Sequence, residues 1–476
     1  AGDESGIPPL MRELDRIRET HNVPAFALTL VAGDHLSYAG ARGVADRASG
    51  RPATPDSLFR IGSITKTFNG LAFLMLAEEG RLDLSAPLKT LVPDAPLSNP
   101  WGPTHPVRLV QLLEHTAGLL DLTRAEFAYN EPFAELRAAL DFRPRARVIH
   151  WPPGRHSSYS NAGAGLAAYA LERVTGQRYE EFMTRRVLRP LGMRRAGLVL
   201  DETTGARLAT GYDSDGTTVV PYWHMIFPAL GAINATPREM AALVVLLINR
   251  GVYRGRRLLS AASVVRMESP RTTLAARSGL RYGYGLGNEQ FSHAGFLFHG
   301  HGGDGDGYLS HFAYQTDLAR GYFITINAFN RKALGAMKAA VLDYLVADQQ
   351  PPKAGVAALP AETLATFTGT YRPVTWRFPW EQRGADREAG LEVVLLGGRL
   401  HLRYPSGRRR PLLPVTDRHF RFPDEPVATL AFVSADDGLF LQGDIGNYRR
   451  TRRRPDRSGG QAIGVGHQQA GATPPH

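Results

Sequence analysis

Gly62-Ser-Ile-Thr-Lys66-Thr-Phe-Asn-Gly-Leu71-Ala-Phe-Leu-Met75-Leu-Ala-Glu-Glu-Gly80 places a serine and a lysine three residues apart at the head of an apolar run. Ile64, Phe68, Leu71, Ala72, Met75 and Leu76 recur at three- and four-residue intervals, and Gly80 suits the position just past a helix end. The stretch predicts a buried central helix with Ser63 and Lys66 on one face of its start. A serine hydroxyl needs a base within reach to act as a nucleophile, and burial that disfavours the ammonium can make lysine that base. The N–H of Ser63, at the positive end of the helix dipole, can donate to a developing oxyanion.

Outward from this helix, Leu10 to Arg18 reads as an opening helix, and Ala25 to Val31 with Leu36 to Val44 reads as a strand hairpin turned at Gly33-Asp34. Further helices are expected at Val107 to Glu114, Gly163 to Val174 and Pro237 to Asn249. The last of these is capped by Thr236, with Glu239 completing a capping box. Between Tyr282 and Thr325 the texture turns Gly-rich and aromatic, which reads as sheet strands, including Tyr282 to Gly287. A final helix is expected at about Lys332 to Ala347.

The polar, Pro-rich Asp348-Gln-Gln-Pro-Pro-Lys353 marks a boundary. The expected organisation is a hydrolase domain at 1–347, a linker at 348–356, a small all-β domain at 357–453 and a disordered tail at 454–476.

Two further stretches carry chemistry. Tyr159-Ser-Asn161 follows Trp151-Pro-Pro-Gly154; a phenol can shuttle protons and a carboxamide can bind a substrate amide. In His299-Gly-His-Gly-Gly-Asp-Gly-Asp-Gly307, Gly302 and Gly303 would let a strand lie close to a substrate, and His301 could donate to a carboxylate or assist proton transfer.

Ser63-x-x-Lys66, Tyr159-x-Asn161 and His301-Gly302-Gly303, in this order, resemble the three motifs of class C β-lactamases and related penicillin-recognising enzymes. Leu58 to Ser63, Leu112-Leu-Glu-His-Thr-Ala-Gly118, Gly231 to Thr236 and Tyr282 to Leu286 support the resemblance, which covers residues 8 to 347. It implies an α/β (α+β) fold, with an antiparallel sheet flanked by helices and an all-helical lobe, and a site between them. It also implies that Ser63 attacks, Lys66 with Tyr159 moves the proton, and Asn161 with His301, Gly302 and Gly303 holds the substrate. The oxyanion would be held by the N–H groups of Ser63 and Asp304.

The departure lies in the third motif, where class C β-lactamases have Lys-Thr-Gly. A His-containing version is more similar to DD-carboxypeptidases, D-aminopeptidases and esterases, acting on a small-molecule, peptide or ester substrate without cofactor or metal. A slowly deacylating penicillin-binding protein, or a weak β-lactamase, is the alternative within the same chemistry. The region from Gly355 to Thr451 is similar to the lipocalin-like barrel appended to some of these peptidases.

A metal-dependent hydrolase using His299 and His301 is the rival from another class, although the acid that follows sits one place late for the metallo-β-lactamase pattern. No Gly-x-Ser-x-Gly supports an α/β-hydrolase. The net charge of +11 comes almost wholly from dispersed arginines without interleaved aromatics, so nucleic acid is not an expected partner. No apolar run approaches a transmembrane segment, and association into an oligomer is left open. The absence of cysteine fits either compartment. A start at Ala1-Gly2-Asp3 gives the expectation of a mature periplasmic or secreted chain whose signal peptide has been removed.

Overall fold

The computed structural model describes residues 6–131, 134–383 and 390–451, so the expected tail at 454–476 lies outside the described residues. Residues Ala25–Ala32 and His35–Asp46 form the expected hairpin, and it sits inside a seven-stranded antiparallel sheet. Its partner across the sheet is Arg320–Ile326, which continues through Tyr308–Gln315 and Phe296–Gly305 to the edge strand Glu289–His293. Ala25–Ala32 is buried along almost its whole length because helices cover both faces of the sheet. On one face Leu10, Leu14, Met337 and Val341 of Ile7–Thr20 and Arg331–Val346 pack on Leu28, Leu30 and Ile324. Pro237–Ile248 packs on the other, where the Thr29 hydroxyl donates to the Pro237 carbonyl at 2.7 Å.

The predicted central helix runs from Thr65 to Glu78, preceded by a single 3₁₀ turn, Gly62–Ile64, that carries Ser63. All residues from Thr65 to Leu76 are buried, so this helix has no solvent face over three turns. It joins the sheet to a helical lobe that includes Leu109–Leu113, Asn161–Thr175 and Tyr179–Phe182 in one continuous apolar cluster.

Two local expectations fail. Tyr282 to Gly287 is irregular, with only a single bridge from Tyr284 to Glu289. Its glycines serve close approach instead: a Cβ on Gly287, whose φ is +68°, would lie 2.1 Å from the Lys66 carbonyl oxygen, and one on Gly285 would lie 2.0 Å from that of Met267. At Pro237–Ile248, Thr236 accepts from the Glu239 N–H, but the Glu239 carboxylate accepts from the N–H of Arg195, so the capping box is only half made.

Beyond Val346 the chain forms a nine-stranded antiparallel sheet between Gly369 and Arg450. The two ends of its strand order, Arg409–Pro411 and Leu413–Pro414, are consecutive in the chain, so the sheet wraps into a nearly closed barrel around Tyr371, Leu402, Phe420, Phe432 and Leu441. Among the described residues, no helix is long and apolar enough to cross a membrane.

Leu71, fully buried in the central helix, carries a direct test of this packing. Leu71→Ala is expected to lower the unfolding free energy by about 2–5 kcal/mol in denaturant titration, because the cavity lies between two rigid layers that cannot collapse onto it.

Candidate active site

Phe59–Arg60 pairs with Asn234–Ala235, and the Ile61 N–H donates to the Ile233 carbonyl at 3.0 Å, which fixes the chain entering the Ser63 turn. Beyond the turn, the Thr67 hydroxyl donates to the Gly287 carbonyl at 2.6 Å and the Asn69 amide to that of Ala229 at 2.8 Å. Ser63 thus rests on a helix clamped at its first turn.

Lys66 Nζ lies 3.1 Å from Ser63 Oγ and donates to the Leu230 carbonyl at 2.6 Å. Its side chain is buried, and the loss of hydration draws the ammonium down to about 7, with Asp121 and Asp304 opposing the shift and Arg377 adding to it. At neutral pH a large share of Lys66 is therefore the free amine.

Tyr159 stands in the loop before Asn161–Thr175, its ring centroid 5.1 Å from Lys66 Nζ. Burial raises the phenol, and its hydrogen bond with Ser63 and the charge of Arg377 offset only part of that, so it is protonated at neutral pH. Asn161 opens the helix: its N–H donates to Asp121 Oδ1 at 2.8 Å and its amide to Asp121 Oδ2 at 3.2 Å, while its own buried oxygen has no partner. The amide nitrogen is therefore committed inside the protein, while the oxygen has a free acceptor position.

His115 lies beside these groups, its ring centroid 4.2 Å from that of Tyr159 and 4.6 Å from that of Tyr284. The Ser160 N–H donates to its Nδ1 at 3.1 Å, and burial holds the imidazole neutral, so Nε2 carries the proton. Its backbone sits at a φ of +57°, directly after Glu114. That fully buried carboxylate accepts from Arg266 at 2.5 Å, from the Thr272 N–H at 2.9 Å and from the Thr272 hydroxyl at 2.6 Å.

On the opposite wall, Phe296–Gly305 loses its outer neighbour strand after Gly300, and the Ser63 turn fills the gap. The Gly302 N–H points to this open edge, towards Glu289 at 3.3 Å, and by the two-residue repeat of a strand the N–H of Asp304 points the same way. A Cβ on Gly303 would sit 1.9 Å from the Ile61 carbonyl oxygen, and one on Gly62 would sit 2.7 Å from the Asp304 nitrogen. The backbones of Gly62-Ser63 and Gly303-Asp304 are thus pressed together, bringing the two expected oxyanion donors to one place. The Asp304 carboxylate turns away to pair with Arg331 at 2.6 Å.

His301 is buried here, but it has no spare donor. Its Nδ1 faces the Gly302 carbonyl and so carries the proton, while Nε2 accepts from the Tyr284 hydroxyl at 2.7 Å. Burial keeps His301 neutral, and its ring lies 6.4 Å from that of Tyr159 and 5.5 Å from that of Tyr284, at the edge of the cleft. His299 stacks against Tyr314 at 5.6 Å, and among the described residues no three His, Cys, Asp or Glu side chains are grouped to hold a metal ion. The metal reading has no donor set among them.

The sequence matches the Beta-lactamase family over residues 10–346, well over half of the chain. The chain belongs to the beta-lactamase family. Members of this beta-lactamase and transpeptidase family are serine hydrolases, and the chain has their fold. It is similar to the octameric penicillin-binding protein homologue from Pyrococcus abyssi, at 22% identity and a TM-score of 0.61, over 93% of this chain and 99% of that one. The D-alanine carboxypeptidase AmpC from Burkholderia cenocepacia aligns at 20% identity and a TM-score of 0.58, over 71% of this chain and 99% of that one. Protein flp from Staphylococcus aureus (strain MRSA252) is 29% identical over 203 residues, 42% of this chain; the match spans less than half of that relative, 40% of its length.

Around this beta-lactamase-family cleft the structure groups Ser63, Lys66, Tyr159, Asn161, His301, Gly302, Gly303 and Asp304, but not His299, together with His115, Asp121, Tyr284, Glu289 and Arg377, which sequence reasoning did not assign. His115 and Tyr284 lie inside supporting stretches quoted for the resemblance. Asp121 and Arg377 carry no local signal, because they are 256 positions apart and meet only through the fold.

The glycine contacts separate two neighbouring positions. Gly303→Ala is expected to cost about 1–3 kcal/mol in thermal or denaturant unfolding, since the Ser63 turn must move. Gly302→Ala, whose Cβ would find its nearest neighbour at 3.8 Å, is expected to leave the unfolding free energy within about 0.5 kcal/mol of the parent.

Proposed function

We propose that the protein is a serine hydrolase that cleaves amide or ester bonds through an acyl-enzyme on Ser63, acting most like a DD-carboxypeptidase, a D-aminopeptidase or an esterase. The observation that carries this reading is the Lys66 amine, brought to about 7 by burial and held 3.1 Å from Ser63 Oγ. A lysine tuned to the working pH is suited to take a proton and to return it.

The neutral amine of Lys66 accepts the hydroxyl proton as Ser63 Oγ bonds to the carbonyl carbon. The N–H groups of Ser63 and Asp304 receive the oxyanion. Tyr159, a neutral phenol hydrogen-bonded to Ser63, passes a proton to the leaving group and is resupplied from Lys66. Water then attacks the ester on Ser63 with the same amine as base, releasing the acid and restoring the hydroxyl. The choice among D-specific activities draws support from the neighbours, which include a D-alanine carboxypeptidase and a protein named SurE solved with D-Leu.

Two outcomes test the assignment. Intact-mass measurement after a serine-reactive fluorophosphonate is expected to show one adduct on the wild type and none on folded Ser63→Ala; labelling of both would move the nucleophile elsewhere. The kcat/KM for an uncharged ester is expected to rise with pH through a midpoint at about 7, because the base works when neutral, and to fall tenfold per pH unit well below it. A profile flat between pH 5 and 8 would remove Lys66 from the role.

A further inference from the structure

We propose that Arg377, carried by the C-terminal barrel, is the residue through which this site recognises a carboxylate on its substrate. The proposal rests on the hydrolase reading and narrows it to acyl compounds that bear a free carboxylate near the scissile bond, such as a peptide losing its C-terminal residue.

After the barrel strand Gly369–Pro373 the chain leaves the barrel and enters the cleft. The Ser158 hydroxyl donates to the Trp376 carbonyl at 3.0 Å, and the Asp121 N–H donates to the Arg377 carbonyl at 2.7 Å. Both contacts fall on the segments that hold Tyr159 and Asn161, so Arg377 is fastened to the wall of the site by its backbone. Its guanidinium lies 4.6 Å from the centroid of Tyr159, the same ring that Lys66 Nζ approaches to 5.1 Å. The Tyr159 ring therefore borders both Arg377 and the Ser63–Lys66 pair.

The charges around the cleft favour this role. Lys66, His115 and His301 are each pushed towards their neutral forms by burial, and Arg331 is spent on Asp304. Of the acids, Asp121 has no exposed side-chain surface and is closed by the Leu122 N–H, the Asn161 N–H and amide, and Arg377 itself. Glu289 faces the Gly302 N–H. Arg377, ion-paired to Asp121 on its inner side, keeps 43% of its side chain exposed at the rim.

Its geometry is also set in advance. Nε and Nη2 both lie 2.9 Å from Asp121 Oδ2, which leaves the edge bearing Nη1 outermost, and the rings of Tyr159 and Phe378 approach the planar group at 4.6 and 4.8 Å. A guanidinium so oriented presents its outer edge to a carboxylate with little rotamer entropy left to lose. Bracing the barrel needs only the backbone contacts; a half-exposed cation beside two rings is more than that task requires.

The test uses the full chain and a matched pair of probes, N-acetyl-D-alanyl-D-alanine with a free carboxylate and its C-terminal amide. Calorimetry on catalytically silent Ser63→Ala, with and without Arg377→Gln, reads affinity independently of turnover. Gln keeps a donor for Asp121 and removes the charge, and unfolding curves check that the fold is retained. The expected result is that the free acid binds more tightly than the amide, that Arg377→Gln weakens the acid about 10- to 100-fold and the amide less than threefold, and that Arg377→Lys recovers part of the loss. Equal affinity for acid and amide, or an equal loss for both in Arg377→Gln, would overturn the proposal and leave Arg377 as a brace. Wild type that resists fluorophosphonate labelling while still preferring the acid would overturn the hydrolase reading and not this one.

Discussion

An amine without water around it governs this structure. Charging Lys66 inside the protein forfeits hydration that one carbonyl and one serine hydroxyl do not replace, and that deficit is what draws its proton affinity towards neutrality. The deficit requires a helix buried on every side at its start, and so requires a sheet on one flank and a helical lobe on the other. The glycines at 70, 285 and 287 belong to the same requirement, because backbone contact excludes solvent where side chains would hold the layers apart.

The helical lobe alone does not hold the second half of the site. The loop before Asn161 is braced by the barrel: Asn447 donates to the Ser157 carbonyl at 2.8 Å, and Gln442 donates to the Arg155 carbonyl at 2.9 Å and contacts His156 Nδ1 at 2.7 Å. Gln442 also accepts from the Ala275 N–H at 2.9 Å, and Tyr282 donates to Asp444 at 3.0 Å. The barrel thus grips the loop that carries Tyr159 and the segment that leads to Tyr284. Ser63 is positioned by elements near it in the catalytic body, whereas the groups facing it are positioned in part by residues more than 280 positions further on.

What could be read from sequence follows the range of the interactions. The Ser63–Lys66 pair is a three-residue relation on one helix, written in the apolar spacing that continues to Leu76. The antiparallel sheet with flanking helices was legible in the same way, through periodicity and through the resemblance carried by the three motifs. Tyr282 to Gly287 misled because alternating glycine and aromatic residues suit a strand, while here the glycines answer to a helix packed against them. Glu239 misled because a tertiary donor, the Arg195 N–H, took the place of its own helix end. The occupied nitrogens of His301 depend on Tyr284 and a strand carbonyl, and the Asp121–Arg377 contact depends on two units meeting; no local pattern encodes either.

The pairing of Ala25–Ala32 with Arg320–Ile326 bears on how the molecule comes into being. The first hairpin leaves the ribosome with one edge unmatched, and its neighbour strand is made almost three hundred residues later. Until then the hairpin cannot take its place in the sheet, the cleft has one wall, and the exposed edge is open to misassembly. Loop closure on this scale makes folding slow and cooperative, with little structure committed early. A nascent chain therefore cannot complete the sheet that walls the cleft until Ile326 has been made.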